Sequence, residues 1–351
     1  MTVSTGAARA TVPTRACLAG EDLDWLGGRS VCVALDLPTT VVARPRADGA
    51  GAPGAPTAAG HWGAAVWDFL RARLPDLGPL PPETEVSSDA PVASGLSSST
   101  ALIVALFEAF SALLPAARRP SRATLTEWAY LCEFEVCRGG GMDQLAVSLG
   151  GAVLTRGRPA GLPELCEQLA FPGRWSLIVV DSRTAKSTQD HIRTVRAQAA
   201  ARDPRLAAYL ASADAAAGAV WENIRTRDLA GLTEAMRQAH RAMRDHQGMS
   251  TPFLERLRRL ARSSAGFELK LSGAGGGGAL VGVCDAAVSA QLADALRRAY
   301  RYECPDARVL EAGPAAIRST GEAGPAAIRS AGEAGPAAIR SAGEAAAAPV
   351  L

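Results

Sequence analysis

Apolar residues along the chain fall into two kinds of run. Residues 30–37 (SVCVALDL), 150–156 (GGAVLTR) and 175–182 (WSLIVVDS) are short, rich in β-branched side chains and bounded by Gly, Pro or charge, a pattern that predicts strands. Residues 64–74, 100–114 and 125–137, and the long Ala/Arg-rich stretch 188–246, carry helical periodicity. The order is mixed rather than a regular strand–helix alternation, which predicts an α+β architecture over a doubly wound sheet.

Two segments are poor in core-forming side chains. Residues 46–61 (RADGAGAPGAPTAAGH) read as a surface loop. Near the C-terminus AGPAAIRSTGE at 312–322 recurs as AGPAAIRSAGE at 323–333 and 334–344. Each copy carries Gly-Pro and one Ile, which interrupts a helix and supplies little to bury, so a disordered tail over 311–351 is expected.

Composition narrows the class. A chain of 351 residues with 48% hydrophobic content can bury a large core and by length divides into about two domains. Its net charge of +2 comes from interspersed charges, with no basic block to track a nucleic acid or an anionic membrane. No apolar run reaches bilayer-spanning length and the N-terminus lacks a signal-peptide core, so a cytoplasmic location is expected. The seven scattered cysteines contain no C-x-x-C pair and read as reduced thiols. The four histidines fit no common zinc spacing, which leaves a hard, oxygen-bound ion as the expected type of metal.

Candidate chemistry starts at PVASGLSSSTA, residues 91–101, where Gly and three serines lead into the apolar run of 100–114. A Gly/Ser loop at a helix start gathers backbone N–H groups and the positive end of the helix dipole, which suits a phosphate. Serines there are also ordinary helix caps, and the residues alone leave both readings open. No lysine follows as in the G-x-x-x-x-G-K-[ST] loop.

Together with RACLAGEDLDWLGG (15–28), GGGMDQ (139–144) and KLSGAGGGGALVGV (270–283), this stretch resembles the GHMP kinases, nearest the galactokinase-like sugar kinase branch. The resemblance covers the chain to about residue 310. It implies a ribosomal-protein-S5-domain-2-like N-terminal domain, here 1–165, and a ferredoxin-like C-terminal domain, 166–310, with ATP and substrate between them. It implies that Gly95, Leu96, Ser97, Ser98 and Ser99 wrap the ATP phosphates. Ser99, or else Ser98, is implied as a ligand of Mg²⁺ together with Glu133 or Glu135. Asp143 takes the place of the general base and Arg15 that of its cationic partner. Glu21, Asp22, Asp24, Asp143 and Gly275 fall where substrate is held. Asp22 and Trp25 stand where galactokinases carry His and Tyr, which makes galactose itself a poor expectation and leaves a polyhydroxylated small molecule. Asp181 and Lys186 lie in segments that resemble the family's cleft lining.

The resemblance therefore implies ATP-dependent phosphoryl transfer to a hydroxyl of a sugar or sugar-like molecule. A mevalonate-like or amino-acid alcohol as acceptor, and a non-catalytic sugar and ATP sensor, are the alternatives. The sequence does not specify monomer or dimer.

Overall fold

The computed structural model describes residues 6–46, 58–185 and 187–318. Chain order begins with β1 (Ala8–Ala19), α1 (Leu23–Leu26), β2 (Arg29–Arg44), α2 (Ala58–Arg71), β3 (Glu83–Ser88), α3 (Ser98–Ser111), α4 (Arg122–Cys137), α5 (Met142–Leu149), β4 (Ala152–Arg156) and β5 (Glu164–Leu169). It continues with β6 (Trp175–Asp181), α6 (Thr188–Ala200), α7 (Pro204–Thr226), α8 (Leu229–Gln247), α9 (Pro252–Ala265), β7 (Lys270–Leu271), β8 (Ala279–Asp285), α10 (Ser289–Glu303) and β9 (Arg308–Ala312).

β1, β2, β4 and β5 form an antiparallel sheet in that order, and β3 pairs with the outer half of β2. The second sheet, β7-β8-β6-β9, is antiparallel throughout. Its strands, separated by helices before β7 and before β9, have the order of a ferredoxin-like unit. The α+β expectation holds, with two sheet-based halves. One core cluster runs through both, joining Leu18 and Val33 of the first sheet to Leu177, Val179 and Val281 of the second across Ala216, Ala217 and Val220 of α7. α3 is apolar nearly all round and is accordingly buried against β1, β2 and its neighbouring helices.

The structure corrects several boundaries. The stretch 188–246 is three helices. Arg202 and Arg227 adopt positive φ at the two breaks, Pro204 opens α7, and the side chains of Asp203 and Asp228 cap α7 and α8. Helix α2 begins at Ala58, inside the expected loop 46–61, of which residues 47–57 lie outside the described residues. The first sheet extends to Leu169, past the expected boundary at 165, because β5 pairs with β4 from Glu164 to Leu169.

The tail expectation is corrected at its near end. β9 runs to Ala312 and pairs with β6, and residues 313–318 of the first repeat lie against the first sheet. Backbone hydrogen bonds and one arginine hold this segment, so its single Ile was a poor measure of its docking. Residues 319–351 lie outside the described residues.

Candidate active site

Arg15 sits in β1, 3% exposed, and its side chain spans the gap between the start of α5 and the loop before α3. Nε and one terminal nitrogen donate to Asp143 Oδ1 at 2.7 and 2.6 Å, and the other terminal nitrogen donates to the Gly95 carbonyl at 2.6 Å. Burial works against the guanidinium charge, but the Asp143 carboxylate, with smaller contributions from Cys32 and Cys17, holds the arginine pKa above its ordinary value. Asp143 lies in the first turn of α5, and its other oxygen accepts a hydrogen bond from Ser97 Oγ at 2.6 Å. The carboxylate thus faces Arg15 and Ser97, and no side chain caps the start of α5.

Ser97 is not used as a cap either. It precedes α3 at φ 58°, and its side chain makes no cap hydrogen bond. Ala93, Gly95 and Ser97 all have positive φ (56°, 87° and 58°), a backbone alternation that makes a concave nest of N–H groups. The first-turn N–H groups of α3 have no acceptor within the helix. Gly95, Ser97, Ser98 and Ser99 line the cavity, whereas Leu96 points into the core, its carbonyl accepting the Arg15 N–H at 3.1 Å. This loop is suited to polyphosphate by backbone geometry and helix dipole together.

Glu133 of α4 faces the same opening. Its carboxylate accepts hydrogen bonds from Ser99 Oγ (3.3 Å), Thr100 Oγ1 (2.9 Å) and Gln144 Nε2 (2.6 Å). Glu135 is exposed and does not line the cavity, so the choice left open between the two falls to Glu133 on geometry. Burial and the nearby Asp143 push the Glu133 carboxyl up to about 7. Independently of that shift, the Glu133 carboxyl beside the Ser99 hydroxyl is a pair of hard oxygen donors that would fit one face of a Mg²⁺ ion, the remainder being left to waters and phosphate oxygens. Among the described residues no group of three or more His, Cys, Asp or Glu is placed to hold a metal ion.

The acidic cluster after β1 forms the opposite wall. Glu21 is 2% exposed; its Oε1 accepts from Lys270 Nζ at 2.5 Å and from the Gly273 N–H at 3.3 Å, and its Oε2 is buried without a hydrogen-bond partner. Asp22, at φ 66°, meets His191 Nε2 of α6 at 2.7 Å. Asp24 accepts the Met142 N–H at 3.0 Å. Gly273 and Ala274 of the third motif line the cavity, but Gly275 does not: the turn folds back on Met249, whose carbonyl accepts the Gly276 N–H at 2.8 Å. Asp181 is likewise not among the lining residues and accepts the Arg183 N–H, while Lys186 lies outside the described residues.

Sequence reasoning missed Lys270, His191, Thr100 and Gln144. Thr100 and Gln144 each adjoin a recognised motif residue. His191 gave no local signal, because only the packing of α6 against α4 and α7 brings it to Asp22.

Burial, followed by the like charges of Asp143 and Asp22, pushes the Asp24 carboxyl up to about 7. The folded protein therefore keeps this proton to about pH 7, whereas the unfolded chain releases it near 3.8, so the contribution of Asp24 to stability falls as pH rises across that window. Asp24→Asn keeps the acceptor for Met142 and removes the titration. Its Tm relative to wild type is expected to rise between pH 5 and pH 8; a difference that is flat or falls with pH contradicts this.

Comparison with known proteins reaches three of the four motifs, all but residues 15–28. A family model described as the GHMP kinases N terminal domain matches residues 63–151, and one described as GHMP kinases C terminal matches residues 220–301. The chain belongs to the GHMP kinase family. No curated protein matches it in sequence. Among solved structures, it is similar to Lactococcus lactis galactokinase complexed with galactose, with 15% identity over 90% of this chain and 95% of that one and a TM-score of 0.72. L. major mevalonate kinase in complex with R-mevalonate gives 20% identity over 90% and 98%, TM-score 0.71. Mevalonate pyrophosphate decarboxylase from Streptococcus pyogenes gives 13% over 91% and 100%, TM-score 0.66. One fold thus serves kinases of different acceptors and a decarboxylase, and the reaction must be argued from the site.

Proposed function

We propose that this GHMP kinase family member transfers the γ-phosphoryl group of ATP, with Mg²⁺, to a hydroxyl of a sugar or sugar-like small molecule. The observation that carries the reading is the convergence of Arg15, Ser97 and Asp143 at the mouth of α3, directly beside Glu133 and Ser99. The nest at 93–97 and the first turn of α3 hold the phosphates. Glu133 and Ser99 hold Mg²⁺, which when bound neutralises phosphate charge. Asp143 orients the acceptor hydroxyl and takes its proton, and Arg15 fixes the position of the carboxylate and adds positive charge where charge develops.

The acceptor wall supports an uncharged polyol. Glu21, Asp22 and Asp24 present carboxyl oxygens, and Glu21 Oε2 is an unsatisfied acceptor at a buried position. Arg15 is the one Lys or Arg among the described lining residues, and it is already engaged by Asp143, so among these residues a carboxylate-bearing acceptor such as mevalonate meets no lysine or arginine that is not already paired.

A coupled assay of ADP release against monosaccharides, inositols, aminosugars, mevalonate and homoserine is expected to give acceptor-dependent turnover with a polyhydroxylated compound. No turnover with any of them refutes the proposal, and turnover with mevalonate alone refutes the acceptor class. In the same assay Ser99→Ala is expected to raise the Mg²⁺ concentration for half-maximal rate several-fold and to lower turnover; an unchanged Mg²⁺ dependence removes Ser99 from the metal site.

A further inference from the structure

After β9 the chain crosses the first sheet in a seat made for it. Gly313 N–H donates to Asp36 Oδ1 at 2.6 Å and its carbonyl accepts the Asp36 N–H at 3.0 Å; Pro314 bridges Leu35. Ala315 N–H donates to the Ala34 carbonyl at 2.8 Å, and its own carbonyl accepts the Gly151 N–H at 3.1 Å. A side chain on Gly150 would meet the Ala316 carbonyl at 2.1 Å, so the close approach of this segment needs glycine there. Arg318 closes the run. Its backbone N–H donates to the Leu149 carbonyl at 2.8 Å, and its guanidinium forks onto Glu108 at 3.1 and 2.8 Å and reaches the carbonyls of Thr11 (3.2 Å) and Val147 (3.4 Å).

Those partners lie on β1, α3 and α5, the elements that deliver Arg15, Ser97 to Ser99 and Asp143. The seat reads the hexapeptide GPAAIR through backbone pairing, a tight glycine surface and one bidentate ion pair. The same hexapeptide occurs twice more, at 324–329 and 335–340, without a change.

We propose that the seat is shared: when the first copy is displaced, the second copy of the same chain, 324–329, takes its place while the intervening eleven residues loop out, so that the repeats are interchangeable clasps on the back of the site. β9 stays in the second sheet during the exchange, because Val309 and Leu310 are not repeated upstream of the later copies, where Thr320-Gly321 and Ala331-Gly332 stand instead. The first copy is the resident because it needs no loop. The second follows closely in preference, because the entropy of closing a loop grows only slowly with its length.

The test uses the full-length chain and does not depend on the proposed reaction. Arg318→Glu sets a carboxylate against Glu108 and disables the first copy; Arg318→Glu with Arg329→Glu and Arg340→Glu disables all three. The single variant is expected to keep most of the wild-type Tm and the triple variant to lose several degrees more. In the single variant the amides of Ala326 and Arg329, the counterparts of Ala315 and Arg318, are expected to gain protection from hydrogen exchange that the triple variant lacks. Equal Tm in the single and triple variants, or equal exchange at those two amides, overturns the proposal. A rescue that depends on protein concentration and comes with a doubled mass also overturns it, because the occupant is then a second chain.

Discussion

Asp143→Asn is expected to lower turnover by about 10²- to 10⁴-fold, the usual worth of general-base assistance. The substitution preserves shape, so the amide oxygen it introduces can still accept from Arg15, while the negative charge and the proton site are lost. Nucleotide affinity is expected to change by less than about tenfold, because the nest at 93–97 and the α3 terminus offer phosphate their backbone N–H groups, and the carboxylate meets this loop only through the Ser97 hydroxyl and Arg15. Circular dichroism and a thermal melt distinguish a chemical defect from misfolding. Near-normal turnover by a folded Asp143→Asn protein would exclude Asp143 as the base.

Lys270→Met is expected to lower stability by about 3–5 kcal/mol, seen as a fall in Tm of roughly 5–10 °C. Lys270 and Glu21 are 1% and 2% exposed, and Nζ also donates to the carbonyls of Cys17 (3.2 Å) and Leu271 (2.6 Å). Removing the lysine leaves an unpaired carboxylate whose second oxygen already lacks a partner, together with two carbonyls that lose their donor. The pair joins the end of β1 to β7 and so links the two sheets beside the acceptor wall. Adding Glu21→Gln to Lys270→Met is expected to restore part of the loss. An unchanged Tm in Lys270→Met would show that the pair carries no net stability.

Arg15 and Asp143 show how far the sequence could be read. They are 128 positions apart, and nothing between them in the chain signals a contact; the motifs that contain them did. Ser97 carried two readings from its neighbours alone, cap or phosphate loop. The structure separates them by sending its hydroxyl to Asp143 rather than to the helix. Glu133 and Glu135 were equivalent in sequence, since both lie on one helix two positions apart, and the rotation of α4 puts only Glu133 at Ser99. The tail was misjudged at residues 313–318 because side-chain hydrophobicity does not record backbone pairing to a sheet.

By itself the sequence determined the α+β class, the main helices, the phosphate loop and the four motifs, because these rest on local periodicity and on short runs whose backbone chemistry is set by Gly, Ser and Asp. Tertiary structure alone decided which carboxylate meets which cation. The Lys270–Glu21 and His191–Asp22 pairs join residues 249 and 169 positions apart, and so depend on how β7 and α6 pack against the end of β1, a matter of long-range burial that no local pattern encodes.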